Sequence, residues 1–217
     1  MVKFMTAGQA AILVPDGAHL AVLGSGGGVL EADLVYEALE RRFLDTGSPS
    51  GLTVTAACGF GDKGRGGISR FAHEGMLRRF IGGHWAWSPQ MQKLALENRI
   101  EAYNLPQGVL VSSYRELAAR RAGLVTKTGL HTFVDPRLGG GQVNARTQKP
   151  LVELLRLQGE EWLHYRLPPV DVAIIRGSLA DEDGNISVQN EAANGELLPM
   201  AQAAKNNGSS FFIFSFI

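Results

Sequence analysis

The 217-residue sequence predicts an α/β fold, an open, mainly parallel and partly mixed sheet with flanking helices. Short apolar runs alternate with segments of helical period, and tight glycine loops follow the runs, as at residues 24–28 and 59–67. Neither a repeat nor a linker interrupts the pattern, so residues 1–208 read as one domain, with residues 209–217 set apart.

A helical opening at 7–13 stops at Pro15, Asp16 and Gly17, and the apolar run 19–23 reads as a buried strand entering the loop that holds Gly24, Gly26, Gly27 and Gly28. Within 33–44, Leu34, Leu39 and Phe43 recur at helical spacing while Glu37, Glu40 and Arg41 take other faces; Thr46 to Pro49 closes that helix. A strand at 52–57 leads into a second glycine loop around Phe60. Residues 80–82 end a third strand, 89–98 form a helix, 100–105 a fourth strand and 109–120 another helix. This leaves Pro106, Gln107 and Gly108 as a turn.

Residues 132–142, with Pro136 and three consecutive glycines, read as a covering loop. Strands follow at 162–165 and 170–176, and Asp183-Gly184 marks a tight hairpin within 179–187. The last helix occupies 192–205, with Gly195 and Pro199 starting it late or kinking it. The final run, SSFFIFSFI, places four of the 10 Phe in the last seven residues. Its bland reading is an aromatic edge or core strand. A truncated or frame-shifted terminus is the sharper expectation, because such a run left exposed is an aggregation hazard.

Bulk composition narrows the function classes. Lys+Arg 21 against Asp+Glu 21 argues against a nucleic-acid surface, and no apolar run of membrane-spanning length or maturing signal segment occurs. The single Cys58 cannot form an internal disulfide, which suits a reducing, cytoplasmic setting.

Local motifs exclude more than they establish. Gly24 and Gly26 fit the start of a dinucleotide-binding loop, but Val29 stands where its third glycine belongs and no acidic residue ends the next strand. Ser25 lacks the preceding glycine of a nucleophile elbow, because Leu23 occupies that position. His73-Glu74 is followed by Leu77 where a zinc protease needs its second His, and no metal site is expected. Trp85 and Trp87 suit either a pocket wall or packing against bare backbone. The pairs Arg41/Arg42, Arg78/Arg79 and Arg120/Arg121 fall on expected helices or their ends, as solvated faces or as a phosphate-binding set.

Read in order, DGAHLAVLGSGGGVLEAD, GFGDKGRGGISRFAHEGMLRRFIGGHW, EAYNLPQGVL, HTFVDPRLGGGQVN and VDVAIIRGSLADEDGNIS resemble the family I coenzyme A-transferases, in the fused-chain acetate or propionate branch and over its N-terminal half only. The resemblance implies ping-pong transfer of coenzyme A from a short-chain acyl-CoA to a free carboxylate, through an acyl anhydride and an enzyme thioester. It implies no permanently bound cofactor; coenzyme A and acyl-CoA are substrates. Gln107 takes the place of the family's oxyanion-hole donor, Gly24, Gly26, Gly27 and Gly28 border the acyl and carboxylate pocket, and Gly82, His84 and Trp85 line the same cavity. Where the family commonly has Gly-Gly-Phe, this chain has Gly28 followed by Val29, which bears on acyl preference.

The family's Glu nucleophile belongs to a second half. Glu191, expected at the start of the terminal helix, mimics its sequence context only superficially. The expected partner is therefore a C-terminal half or separate subunit, with self-association into an oligomer, and the isolated chain is expected to be inactive. Two rival readings are a non-catalytic fragment or interaction protein and a nucleotide-binding oxidoreductase.

Overall fold

The computed structural model describes residues 3–208 and 212–215. Its centre is a six-stranded sheet in the order β11-β8-β1-β2-β3-β4, and every neighbouring pair is parallel. The strands are β1 (His19–Val22), β2 (Leu52–Ala56), β3 (Leu77–Gly82), β4 (Glu101–Asn104), β8 (Val172–Gly177) and β11 (Phe212–Ser215).

Helices cover both faces, which is why the strands read as continuous apolar runs rather than as alternations. Alternate residues of one strand point to opposite faces and join different cores. Leu20, Val22, Val54, Phe80 and Ile174 pack against α1 (Ala7–Ile12), α2 (Asp33–Thr46) and α3 (Pro89–Leu96), through residues such as Ala11, Tyr36, Leu39 and Met91. Ala21, Leu23, Ile81, Ala173 and Ile175 pack against α4 (Gln107–Ala118) and α5 (Leu197–Asn206), through Leu110, Tyr114, Met200 and Ala203. Each fully buried Leu or Ile of these clusters contributes about 2–3 kcal/mol of transfer free energy.

Local chemistry sets the helix ends. Thr6 and Gln9 form a capping box at the start of α1. Gly47, at φ 76°, takes the left-handed conformation that ends α2, and its N–H donates to the Phe43 carbonyl. The last helix does start late, at Leu197, after Gly195 at φ 55°.

A three-stranded antiparallel sheet flanks this core, in the order β5-β7-β6, with β5 at Leu124–Thr126, β6 at Val152–Leu157 and β7 at Glu160–Tyr165. Gln158 and Gly159, at φ 52° and 82°, supply the two-residue turn between β6 and β7. The predicted hairpin also forms, from β9 (Leu179–Ala180) and β10 (Ile186–Ser187).

The end of the covering loop and the segment after it, residues 141–147, lie along the outer edge of β4. Val143 N–H donates to the Ala102 carbonyl at 2.9 Å, Asn104 N–H donates to the Gly141 carbonyl at 2.8 Å, and Thr147 Oγ1 accepts from Ala102 N–H at 2.7 Å. Those contacts satisfy backbone groups that an edge strand would leave open.

Several expectations are corrected. Pro106, Gln107 and Gly108 are not a free turn: Pro106, at φ −58°, is the N-cap of α4 and Gln107 its first residue. The first helical turn needs no intrahelical partner for its N–H groups, so a Gly there is tolerated. Arg78 and Arg79 lie on β3 instead of a helix. Cross-strand pairing wins, because Leu77, Phe80 and Ile81 are buried and Arg79 reaches Glu101 on β4 at 2.6 Å. Strand β6 went unpredicted, since Glu153 and Arg156 interrupt its apolar residues. Apart from these corrections, the terminal run holds β11 at Phe212–Ser215, parallel to β8; residues 209–211, 216 and 217 lie outside the described residues. Among the described residues no helix is long and apolar enough to cross a membrane.

Candidate active site

In an open parallel sheet the loops leaving the C-terminal strand ends converge on one rim, where ligands bind. Here those loops are 23–32 after β1, 57–66 after β2 and 83–88 after β3, together with the start of α4 after β4 and the segment after β8.

The first loop closes on itself: Ser25 N–H donates to the Val29 carbonyl at 2.7 Å. Gly27 and Gly28, at φ 75° and 81°, occupy the left-handed region that other residues adopt at a cost. Gly26 and Gly27 are exposed, which leaves bare backbone at the rim, while Gly24 is buried against Glu31.

Trp87 ties three loops together. A Cβ on Gly26, Gly27 or Gly59 would lie 3.8, 3.9 or 3.5 Å from its indole, and its carbonyl accepts from Lys63 N–H at 2.8 Å. The Lys63 ammonium stands 4.6 Å from the ring centroid, within cation–π range. His84, exposed, approaches the same place: its Nδ1 would be 3.2 Å from a Cβ on Gly59.

Gln107 projects from the N-terminus of α4, and its side chain is exposed. Gly83 permits this close approach. A Cβ there would collide with the Ala57 carbonyl and lie 2.6 Å from Gln107 Cγ. Among the described residues the Gln107 amide has no hydrogen-bond partner within the chain, so its N–H groups are open to a ligand.

The structure does not bring Gly82 and the Trp85 ring to the rim surface. Gly82 is buried, and a Cβ on it would lie 2.5 Å from Phe80 and 3.1 Å from Phe60. Trp85 is half-buried and stands edge-on to Phe80 with centroids 4.7 Å apart. Both glycine and ring are held by aromatic packing against the core. Glu191 precedes the terminal helix instead of starting it; it pairs with Arg176 at 2.9 Å and accepts from Ser178 Oγ.

Two buried carboxyls at this end escaped the sequence reading. Glu31 is 3% exposed; its Oε1 accepts from Gly61 N–H at 2.6 Å and its Oε2 from Ile68 N–H at 2.9 Å. Burial pushes its carboxyl up to about 7, although those two donors favour the charged form. Glu196, the N-cap residue of α5, is likewise buried and raised, and its Oε1 has no hydrogen-bond partner among the described residues. Burial, and then Glu196, also raises the Cys58 thiol. No local pattern marked either residue: a single Glu beyond a glycine loop or before a helix reads as a surface charge. Among the described residues no group of three His, Cys, Asp or Glu could hold a metal ion.

Comparison with known proteins places this architecture. The sequence profile for coenzyme A transferase matches residues 4–207. Acetate CoA-transferase YdiF of Escherichia coli K12 is 39% identical over 95% of this chain and 39% of its own length. The caffeate CoA-transferase of Acetobacterium woodii is 42% identical over 96% of this chain and 40% of its own. The crystal structure of the E. coli O157:H7 acyl-CoA transferase YdiF in a thioester complex with CoA superposes with a TM-score of 0.94 at 38% identity, covering 96% of this chain and 41% of that one. The chain thus spans about two fifths of the length of the curated relatives it matches. With its mainly parallel sheet, flanking helices and glycine-rich rim, the chain belongs to the coenzyme A transferase family.

Proposed function

We propose that this chain forms the acyl and carboxylate side of a coenzyme A transfer site for short-chain acids such as acetate or propionate. In this reading the 24–28 loop admits the substrate against bare backbone, and the Gln107 amide donates to the oxyanion that develops as the carbonyl is attacked. Coenzyme A transfer then follows ping-pong steps through an acyl anhydride and a thioester on a Glu supplied by a second half or a partner subunit.

The placement of Gln107 carries this reading. Its amide is neutral and open, it stands at the N-terminus of a 12-residue helix, and Gly83 holds it at the C-terminal strand ends. The helix end adds partial positive charge, and a fixed neutral donor stabilises an oxyanion without trapping an anionic substrate. The identities to acetate and caffeate CoA-transferases support the reaction class.

The test is reconstitution. The 217-residue chain alone should not turn over acetyl-CoA with propionate; adding a polypeptide for the second half should give activity, with a hydroxylamine-sensitive glutamyl thioester on the added part. A thioester trapped within the 217-residue chain would overturn the assignment of the nucleophile.

A further inference from the structure

One buried side chain joins the first two glycine loops. Glu31 ends the loop after β1 and reaches across to the loop after β2, where its two oxygens accept from Gly61 and Ile68 N–H. Glycines bracket its carboxyl: a Cβ on Gly24 would lie 3.2 Å from Oε1, and one on Gly67 would collide with Oε2. Alongside, Asp33 Oδ1 accepts from Gly67 N–H at 2.6 Å and is gripped by Arg70 at 2.7 and 2.9 Å. The short 3-10 helix Gly67–Phe71 is thus received by two carboxyls.

Their surroundings differ. Asp33 has its arginine, whereas Glu31 has no cationic partner among the described residues and is faced by Asp33, Asp62 and Tyr36. A buried carboxyl without a counter-charge is costly, so its value lies in the geometry it imposes.

We propose that Glu31 is a positioning residue of the acyl pocket: it holds the 24–28 loop and the 61–68 loop in the arrangement that turns the bare Gly26 and Gly27 backbone toward the substrate. This rests on reading the 24–28 loop as that pocket. Glu31 itself does not touch the reacting atoms.

The experiment is NMR-detected amide hydrogen exchange on the 217-residue chain, with propionate as the probe for the pocket. Glu31→Ala should speed exchange at both Gly61 and Ile68, on the order of 10- to 100-fold each. Glu31→Gln retains one carbonyl oxygen and should release only one of the two amides, a graded signature that general destabilisation cannot produce. Val54→Ala, in the core below, is the control; it should raise exchange across the sheet without singling out these positions. Propionate should shift the amides of residues 26–28 in the wild-type chain, with affinity lowered about tenfold in Glu31→Ala and unchanged in Val54→Ala.

Unchanged protection at Gly61 and Ile68, or lost protection with unchanged propionate affinity, would overturn the positioning role while the pocket reading stands. If propionate failed to shift residues 26–28 in the wild-type chain, the pocket reading would fall first and this one with it. Should Glu31→Ala not fold, Glu31→Gln decides alone.

Discussion

At the N-terminal end of the parallel strands, polar side chains complete their hydrogen bonds within the chain; at the C-terminal end, several are left open. His19 at the lower end donates from Nδ1 to the Pro169 carbonyl at 2.8 Å, since a carbonyl can only accept. Its bare Nε2 then accepts from Thr55 Oγ1 at 2.7 Å. Asp171 accepts from His19 N–H, Asp16 from Ser50 N–H and Ser48 Oγ, and Arg42 donates to the carbonyls of Ala11 and Val14. At the upper end, Trp85 Nε1 and Glu196 Oε1 are buried with no hydrogen-bond partner among the described residues, and the Gln107 amide faces outward. The same strands thus carry one end finished by its own residues and another where polar groups stay unpaired among the described residues.

The largest expected effect tests the open end. In the reconstituted enzyme, Gln107→Ala should lower kcat on the order of 10²-fold or more. Its urea unfolding should stay within about 0.5 kcal/mol of wild type, because the amide makes no bond within the fold. An unchanged kcat would remove Gln107 from the oxyanion hole. Gly83→Ala should act differently, costing about 2 kcal/mol of stability by driving a methyl into the Ala57 carbonyl and Gln107 Cγ. Wild-type stability for that variant would show that α4 can shift freely.

The pH dependence of unfolding should separate the ends by sign. Burial holds His19 down to about 4, so the unfolded chain binds the extra proton between about 4 and 6.5; the His19 contribution is full above that window and lost as pH falls through it. Glu31, pushed up to about 7, behaves oppositely. The folded state binds the extra proton, and the contribution present at low pH is lost as pH rises from about 4.5 through about 7. Between about pH 5 and 6.5, stability should therefore rise with pH in Glu31→Gln and fall with pH in His19→Asn, each by about 1–2 kcal/mol. Parallel slopes would break the contrast. The smallest effect belongs to neither end. Arg41→Ala removes an exposed pair with Glu37 on α2 and should change stability by less than about 0.5 kcal/mol.

How much was legible follows the same division. Strands β1 to β4 were readable because a sheet covered on both faces needs unbroken apolar runs, and the glycine loops after the first two mark the turns into the rim. Strand β6 was hidden because its solvent face carries Glu153 and Arg156, and Arg78-Arg79 looked helical because a charge pair does not reveal that one of the two finds Glu101 on a neighbouring strand. Gln107 stood out through family resemblance, since nothing local distinguishes it from any amide beside a proline. Trp87 was legible as an aromatic packed against bare glycine backbone, whereas Glu31 was unreadable as a rim component, because its role depends on a loop far away in sequence that meets it only once the sheet is built.

The covering loop along β4 has a consequence for how copies of this domain could meet. Main-chain addition of a new strand needs a free flank, and at β4 the carbonyl of Ala102 and the N–H of Asn104 are already engaged. Among the described residues β11 pairs only with β8. A flank closed as at β4 offers no main-chain template to a strand from another copy, so sheet growth through β4 stops there.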